Sequence, residues 1–281
     1  MPYLRPDRLE DALELLAAER PLVMAGCTDI YPLHHTPTLA GSLLDITAID
    51  ELRGITVANG WRRFGAATNW TQIRQADLPA AYDGLKAASA EIGGVQIQSS
   101  GTIGGNLCTA SPAADSVPCL MTMDAEVELV SCRGNRRLPL AEFLTGPRRT
   151  ARDADELVTA IYVPTRAETG RAGFEKIGAR RYLVISIAMT AARLSISDGR
   201  IEQIAISVGS CAPVAVRLTD LEAALRGLET GAAADVLANS RQMIMAALSP
   251  IDDIRGTGQY RREAAAELVT RVVNRLCREA K

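Results

Sequence analysis

From its start to Pro164, the chain alternates short segments that have helical and strand periodicity. Leu9, Leu13 and Leu16 recur at helical spacing, and Asp7 and Glu10 have the separation of a capping box, so we predict a helix over residues 8–20. Further helices are predicted at residues 69–75, 79–91 and 116–123. Apolar runs predict strands at residues 22–25, 42–46, 54–57, 61–66, 125–132 and 156–163, with turns at Asn59-Gly60 and Gly134-Asn135.

A polar stretch at residues 165–171 separates this part from a region of different texture. Two long β-rich runs, 184–196 and 200–208, are joined by Asp198-Gly199, which is a strong hairpin signal. Helical spacing then returns at residues 217–228, 232–248 and 259–279. We therefore predict a second domain in which helices cover a small antiparallel sheet.

The candidate chemistry centres on the stretch SSGTIGGNLCTASPAADSVP, residues 99–118. Its glycines permit positive φ and let backbone amides approach a ligand closely, because no Cβ intervenes. The small hydroxyl and amide side chains between them are donors suited to phosphate oxygens. We predict a glycine-rich loop that cradles a ligand, and the alternative is an ordinary Gly/Ser connection.

A second small-residue turn, Gly26-Cys27-Thr28-Asp29, follows the short apolar strand predicted at residues 22–25. Phosphate-binding turns of α/β proteins lie where a strand runs into such a turn, although a simple strand-to-helix turn has the same composition. Neither this turn nor residues 99–118 contain Lys or Arg, and the chain has no Rossmann or P-loop motif. Backbone amides in two turns predict a ligand with two phosphates, so the residues alone lead to a dinucleotide or similar diphosphate.

Composition and charge narrow the classes of partner. The chain has 281 residues, enough for two domains, and its net charge of −2 argues against a nucleic-acid or membrane surface. No signal peptide or apolar run long enough to span a membrane is visible. The six cysteines form no C-x-x-C, so we expect buried free thiols in a reducing cytoplasm. The adjacent His34 and His35 do not predict a zinc site, and the cysteine spacing does not predict an iron–sulfur cluster on this chain.

Four segments carry a family resemblance when they are taken together. They are VMAGCTDI at 23–30, GGVQIQSSGTIGGNLCTASPAADSVPCLMTMDAEVEL at 93–129, FEKIGARR at 174–181 and DIRGTGQYRRE at 253–263. These segments resemble the FAD-binding medium subunit of molybdenum hydroxylases, the xanthine dehydrogenase and carbon monoxide dehydrogenase type of enzyme. They occur in the family's order and span nearly the whole chain, and TIGGN…SP…DS is the most specific part.

The resemblance implies an α+β fold with two domains. The first would be a two-lobed, vanillyl-alcohol-oxidase-like FAD-binding domain over residues 1–168, with lobes at about 1–56 and 57–168. The second would be a small C-terminal domain over residues 169–281, with an antiparallel sheet and helices.

The resemblance also implies the residues that bind FAD. The two small-residue segments would hold the pyrophosphate, Thr109 and Asp115 would reach the ribityl and adenosine portions, and Lys176 would lie near the flavin ring. Asp115 as a helix-terminus carboxylate and Lys176 as a surface lysine are the alternatives. Cys27 departs from the glycine that many relatives have. The implied cofactor-binding residues are Met24, Ala25, Gly26, Cys27, Thr28, Asp29, Ile30, Ile92, Thr102, Gly104, Gly105, Asn106, Thr109, Asp115, Leu157 and Lys176.

The function that the resemblance implies is electron transfer by an oxidoreductase subunit that carries FAD and has no catalytic acid–base pair. Electrons would come from [2Fe-2S] clusters on a small partner subunit and leave to NAD+, oxygen, a quinone or another acceptor. A large partner subunit would carry the molybdenum cofactor, in a dimer of heterotrimers. Two alternatives stay open: a self-contained flavin oxidoreductase of the same fold, and a cofactor-free assembly subunit. We expect Tyr260 and Arg261 to serve helix packing or a subunit contact.

Overall fold

A computed structural model describes residues 2–33, 39 and 41–279, so His34 and His35 lie outside the described residues. The α-helices are α1 (Leu9–Glu19), α2 (Ile30–Leu33), α3 (Trp70–Gln75), α4 (Asp83–Glu91), α5 (Val95–Ser100), α6 (Ile103–Thr109), α7 (Ser116–Thr122), α8 (Leu140–Phe143), α9 (Thr219–Leu225), α10 (Ala233–Asn239), α11 (Arg241–Ala246) and α12 (Gly258–Glu279). The strands are β1 (Tyr3–Leu4), β2 (Leu22–Met24), β3 (Leu43–Asp45), β4 (Ile55–Ala58), β5 (Trp61–Gly65), β6 (Glu126–Ser131), β7 (Gly134–Pro139), β8 (Leu144–Gly146), β9 (Arg149–Thr150), β10 (Leu157–Pro164), β11 (Arg171–Ile177), β12 (Ala188–Ser197), β13 (Arg200–Gly209) and β14 (Val216–Arg217).

The chain forms two compact units that interleave in sequence. The first unit contains residues 1–76, 94–110 and 125–163, and the second contains residues 77–93, 111–124 and 164–281. Residues 77–93 and 111–124 therefore belong to the second unit, although they precede the boundary that we predict at residue 168.

Two main sheets organise the first unit. A three-stranded sheet has the order β1-β3-β2 with parallel pairing, and a five-stranded sheet has the order β4-β5-β10-β6-β7. The apolar stripe of α1 is buried through Leu13 and Leu16, which form a core with Leu44 of β3 and Leu157 of β10. This burial explains why the helical periodicity of the N-terminal region is a reliable signal.

The second unit is built on an antiparallel sheet with the order β11-β12-β13-β14. The long helix α12 packs its apolar face, including Leu268, Val272 and Leu276, into the core formed with β12 and β13. The predicted sheet covered by helices is confirmed for this unit. Asp198 and Gly199 have φ of 50° and 73°, as a two-residue hairpin turn requires, so this predicted hairpin is confirmed too.

The predicted start of the first helix is wrong in its detail. Arg8, not Asp7, is the N-cap residue of α1, and its side chain makes no capping hydrogen bond. Glu10 forms an ion pair with Arg8 instead of reaching back to the backbone. An exposed arginine two residues away offers the carboxylate a competing partner, and the capping box does not form.

Three further elements differ from their predictions. The helix predicted over 232–248 is two helices divided at Ser240, whose hydroxyl donates to the carbonyl of Val236 at 2.7 Å and competes with the helical ladder. The β6–β7 hairpin turns before Gly134, which already pairs with Ser131. The glycine-rich stretch is largely helical, because α6 lies within it and α5 and α7 extend into its two ends. No helix in the described part of the chain combines the length and apolar composition needed to cross a bilayer.

Candidate functional site

The first small-residue segment, residues 24–30, connects β2 to α2. Met24 ends β2 beside Asp45 of the parallel strand β3, and Ile30 begins α2. Met24 packs with Leu43, and Cys27 and Ile30 contact the same small apolar cluster. Cys27 has a φ of 56°, which lies in the left-handed region that L side chains rarely adopt. Strand β2 and helix α2 thus anchor the two ends of the segment, and the residues between them are half-buried.

The backbone amides in the middle of this segment have no acceptor in the part of the chain that the structure describes. The N–H groups of Gly26, Cys27, Thr28 and Asp29 donate to no group among the described residues. Backbone amides are normally paired, and four successive free donors in a half-buried turn suit a charged oxygen ligand. This observation fits the predicted phosphate-binding role.

The second segment, residues 102–106, begins α6 and has different hydrogen bonding. Thr102 is the N-cap, and its Oγ1 accepts from the Gly105 amide at 3.1 Å. The Gly104 amide donates to the carbonyl of Ala66 at 2.9 Å, and the Ile103 amide donates to that of Thr68 at 3.0 Å. The expectation that both segments offer free amides is therefore wrong for Ile103, Gly104 and Gly105, because the chain's own acceptors take these donors.

The first segment lies against the backbone that leads into the second segment, within the first unit. A Cβ added to Gly26 would lie 1.9 Å from the carbonyl oxygen of Ser100 and 2.8 Å from the Cα of Gly101. A Cβ on Gly101 would lie 3.3 Å from Oγ1 of Thr28. The amide side chain of Asn69, the N-cap of α3, donates to the Ser99 carbonyl at 2.9 Å and holds this backbone in place. The first segment thus packs on the residues that directly precede the second.

The other predicted residues of the first unit differ in exposure. Gly105 is exposed and Gly104 is buried, while Asn106 and Thr109 are half-buried along α6. Leu157 is buried in the core beside α1, a position that explains its apolar character by packing alone. The predicted binding roles are therefore compatible with the positions of the residues near the α6 surface, and not with the buried position of Leu157.

In the second unit, Asp115 and Lys176 form a buried ion pair. Nζ of Lys176 donates to Oδ2 of Asp115 at 2.6 Å and to the carbonyl of Glu91 at 3.3 Å. The hydroxyl of Ser186 donates to the other carboxylate oxygen, Oδ1, at 2.5 Å. Burial raises the pKa of Asp115, whereas the Lys176 ammonium and the Ser186 hydroxyl act in the opposite direction.

This geometry excludes the surface-lysine alternative for Lys176, whereas Asp115 does lie at a helix terminus but does not cap it. Asp115 precedes α7 as its N-cap residue, but its side chain makes no capping hydrogen bond. The side chain of Lys176 is only 8% exposed, so it is not a surface lysine. A buried carboxylate and ammonium that satisfy each other are expensive to desolvate, and such pairs are found where the charges have a task.

A cavity of about 530 Å³ adjoins Lys176 in the second unit. Glu91 and the arginines at positions 180, 181 and 271 line it together with Phe174. Ile92, the C-cap residue of α4, is half-buried next to Glu91 in sequence. The cavity therefore gives Lys176 a polar neighbourhood of mixed charge.

Two polar residues of these sites were not predicted from the sequence. Ser186 precedes β12 and carries no motif, so only the fold reveals its contact with Asp115. Asp45 ends β3 next to the first segment, where the Thr47 amide donates to it at 2.8 Å and Tyr3 donates its hydroxyl. Although burial opposes the shift, these hydrogen bonds lower the pKa of Asp45. An acidic residue that ends an apolar strand, as in Leu43-Leu44-Asp45, was the available signal.

The cysteines differ partly from the expected buried thiols. All six are free, but Cys108 and Cys132 are exposed and Cys27 is half-buried. Within residues 2–33, 39 and 41–279, no three side chains of His, Cys, Asp or Glu come together as a metal site.

Comparison with known proteins identifies the relatives of the chain. Residues 1–166 match the family described as the FAD binding domain in molybdopterin dehydrogenase, and residues 174–276 match the CO dehydrogenase flavoprotein C-terminal domain. The chain is 36% identical over 230 residues to a xanthine dehydrogenase FAD-binding subunit of Escherichia coli O157:H7, covering 78% of this chain and 77% of the relative.

Full-length relatives extend the likeness to both units. The carbon monoxide dehydrogenase medium chain of Afipia carboxidovorans is 27% identical over 283 residues, covering 99% of this chain and 97% of the relative. A solved structure, reconstituted CO dehydrogenase from Oligotropha carboxidovorans, superposes with a TM-score of 0.91 at 27% identity, covering 99% of this chain and 98% of the other. The predicted family is confirmed, and the chain belongs to the FAD-binding subunits of the molybdopterin dehydrogenases, an oxidoreductase family.

Proposed function

We propose that this chain is the electron-transfer subunit of a molybdenum hydroxylase, in which it binds FAD between electron donor and acceptor. Electrons come from [2Fe-2S] clusters on a small partner subunit and leave to NAD+, oxygen, a quinone or another acceptor. A large partner subunit carries the molybdenum cofactor, in a cytoplasmic dimer of heterotrimers. The six free cysteines are compatible with a reducing compartment.

The free amides of residues 26–29 are the observation that carries this proposal. They form a half-buried row of donors packed against the backbone of Ser100 and Gly101, without any Lys or Arg in the segment. Hydrogen bonds from amides to a charged oxygen contribute about 1.5–3 kcal/mol each, so a few of them can hold a pyrophosphate. The residues fit the FAD phosphates.

FAD supplies chemistry that side chains lack, because a bound flavin exchanges electrons singly or in pairs. The chain's own residues bind and orient the cofactor. Residues 24–30 hold the pyrophosphate, with Thr102, Gly104, Gly105 and Asn106 forming the adjoining wall. Thr109, Asp115, Ile92 and Lys176 contact the rest of the cofactor, with Lys176 near its ring, whereas Leu157 supports the site from the core.

The same proposal covers the domain architecture. We propose a vanillyl-alcohol-oxidase-like, two-lobed domain over residues 1–168 and a C-terminal domain over residues 169–281. The two sheets of the first unit support two lobes, and the family matches that end at 166 and begin at 174 support the boundary.

The test of the site is Gly105→Val in the full-length chain, with Gly231→Val as its matched control. Gly105 is exposed, and the close neighbour of an added Cβ is Oγ1 of Thr102 at 2.9 Å, so a larger side chain fills space next to the proposed phosphate site. We expect the FAD dissociation constant to rise roughly a hundredfold, or about 2.7 kcal/mol, by fluorescence titration. Gly231 is exposed with open space around it, so its variant keeps the wild-type affinity.

Full FAD binding by Gly105→Val would remove residues 102–106 from the site. A purified wild-type chain without the visible absorption of flavin, even after incubation with FAD, would favour the cofactor-free assembly subunit.

The cavity beside Lys176 is the observation that favours a self-contained flavin oxidoreductase instead. Glu91 and Lys176 line this cavity of about 530 Å³, and both are side chains that can handle protons for a small substrate. Gel filtration of native extract separates the two functions. Elution with a cysteine-rich small chain and a large chain supports the electron-transfer subunit, and elution only as a free 30.0 kDa chain supports the self-contained enzyme.

A further inference from the structure

A line of polar contacts crosses the second unit and ends at Lys176. It starts at Arg261 on α12, whose guanidinium is buried with 4% of the side chain exposed. Nη2 of Arg261 lies 2.6 Å from Oδ1 of Asp253, and Nη1 donates to the carbonyl of Ile187 at 2.6 Å. The Arg255 amide also donates to Asp253, and these contacts lower the pKa of Asp253 to about 2. Arg261 is thus a cation clamped between an ionised carboxylate and the chain just before β12.

The clamp fixes the backbone next to Ser186. The carbonyl of Ile187 is held by Arg261, and its amide donates to the carbonyl of Ile177 at 2.7 Å, one residue beyond Lys176. Hydrogen bonds on both sides of Ile187 leave its neighbour Ser186 little freedom, and Ser186 is only 2% exposed. The Ser186 hydroxyl is therefore presented to Asp115 in one orientation.

Each oxygen of the Asp115 carboxylate has its own donor. Ser186 donates to Oδ1 and Lys176 donates to Oδ2, so the hydroxyl sets the rotation of the carboxylate that anchors the ammonium. A lysine ammonium is a point charge on a flexible four-carbon stem, and it takes a defined position only if its partner has one. The tertiary fold supplies that partner through Ser186.

We propose that Ser186 is a positioning residue for the Lys176 ammonium, and that Arg261 supports it from one step further away by holding Ile187. The proposal rests on the proposed function, in which Lys176 lies near the bound flavin ring. An ammonium held at one place biases the relative affinity of the site for oxidised and reduced flavin. Ser186 and Arg261 therefore tune the flavin without touching it.

The experiment uses the full-length chain loaded with FAD and compares Ser186→Ala with Ser207→Ala. Ser207 is a matched control because its hydroxyl is buried in the same unit and has no partner among the described residues. The FAD dissociation constant is measured by fluorescence titration, and the midpoint potential of bound flavin by equilibration with a reference dye. We expect Ser186→Ala to change the ratio of oxidised to reduced flavin affinity about tenfold, equal to about 30 mV for a two-electron couple. Ser207→Ala stays at the wild-type potential.

A second pair of variants keeps the proposal testable if Ser186→Ala does not fold. Arg261→Lys retains the charge but loses the forked guanidinium that reaches Asp253 and Ile187 together. The control is Arg255→Lys, because Arg255 also binds Asp253 but forms no hydrogen bond with Ile187 among the described contacts. We expect Arg261→Lys to shift the ratio about threefold in the same direction, and Arg255→Lys to leave it unchanged.

The outcomes separate the two proposals. A wild-type chain that binds no FAD overturns the proposed function. A wild-type chain that binds FAD, with Ser186→Ala and Arg261→Lys both at the wild-type potential, overturns the positioning role. If these variants lose thermal stability but keep the wild-type potential, Ser186 and Arg261 have only a structural role. That result also overturns the positioning role.

Discussion

The two small-residue segments of the first unit are alike in composition and opposite in hydrogen bonding. Residues 26–29 keep their amides free of acceptors among the described residues, while Thr102, Ala66 and Thr68 accept the amides of residues 103–105. The hydrogen bonding of each segment follows from its place in the fold. The first segment is a turn between β2 and α2, and the second is the capped first turn of α6.

The difference teaches that glycine serves two separate purposes within one site. In the first segment and at Gly101, absence of a Cβ lets the two backbones approach each other, as the 1.9 Å distance from a built Cβ of Gly26 to the Ser100 oxygen indicates. At the exposed Gly105 it keeps the surface beside the N-cap hydroxyl of Thr102 clear, which is where we propose that the ligand binds. Glycine content alone cannot tell packing from binding, because both need the same missing atom.

Gly26→Ala is expected to have the largest effect on this arrangement. Its new Cβ would overlap the backbone of Ser100 and Gly101, which cannot move aside as a flexible side chain can. We expect a loss of about 3 kcal/mol in the free energy of unfolding, measured with urea, and loss of FAD binding. Gly231→Ala, with open space around the new atom, is the control. Similar losses in the two variants would contradict the packing role of Gly26.

Thr102→Ala is expected to have an intermediate effect. It frees an amide in the second segment, which makes the hydrogen bonding of that segment more like that of the first. Removal of Oγ1 takes away the N-cap and leaves the Gly105 amide without its 3.1 Å acceptor. We expect a loss of about 1 kcal/mol in the free energy of unfolding, and Thr102→Ser, which keeps the hydroxyl, should stay near wild type. Equal stability of Thr102→Ala and wild type would argue that the cap contributes nothing in solution.

Cys27→Gly is expected to have the smallest effect and the opposite sign. The residue has a φ of 56°, which costs an L side chain about 1–2 kcal/mol, and the greater flexibility of glycine in the unfolded chain offsets part of the gain. We expect the free energy of unfolding to rise by about 0.5–1 kcal/mol. Cys27→Ala removes the thiol but keeps the unfavourable φ, so a rise in that variant would attribute the effect to the thiol.

Local signals predicted most of the elements, and the errors have identifiable physical causes. The hairpin at Asp198-Gly199 and the apolar face of α12 depend on neighbouring residues only, and both are confirmed. The predicted loop at residues 99–118 is largely helix, because the N-cap of Thr102 and burial of Ile103 and Leu107 outweigh the low helix propensity of two glycines. Composition predicted a ligand segment with free amides, but the fold uses the amides of residues 103–105 for its own hydrogen bonds.

The sequence by itself determined the family, the presence of two small-residue segments and the order of the elements around them. These properties depend on residue types at short spacing, which can be read along the chain. Only the tertiary structure decided that Gly26 packs on Ser100, that residues 103–105 have committed amides, and that Ser186 joins Asp115 and Lys176. The contacts of Gly26 with Ser100 and of Asp115 with Lys176 and Ser186 join residues more than 60 positions apart, and their geometry depends on every element between them.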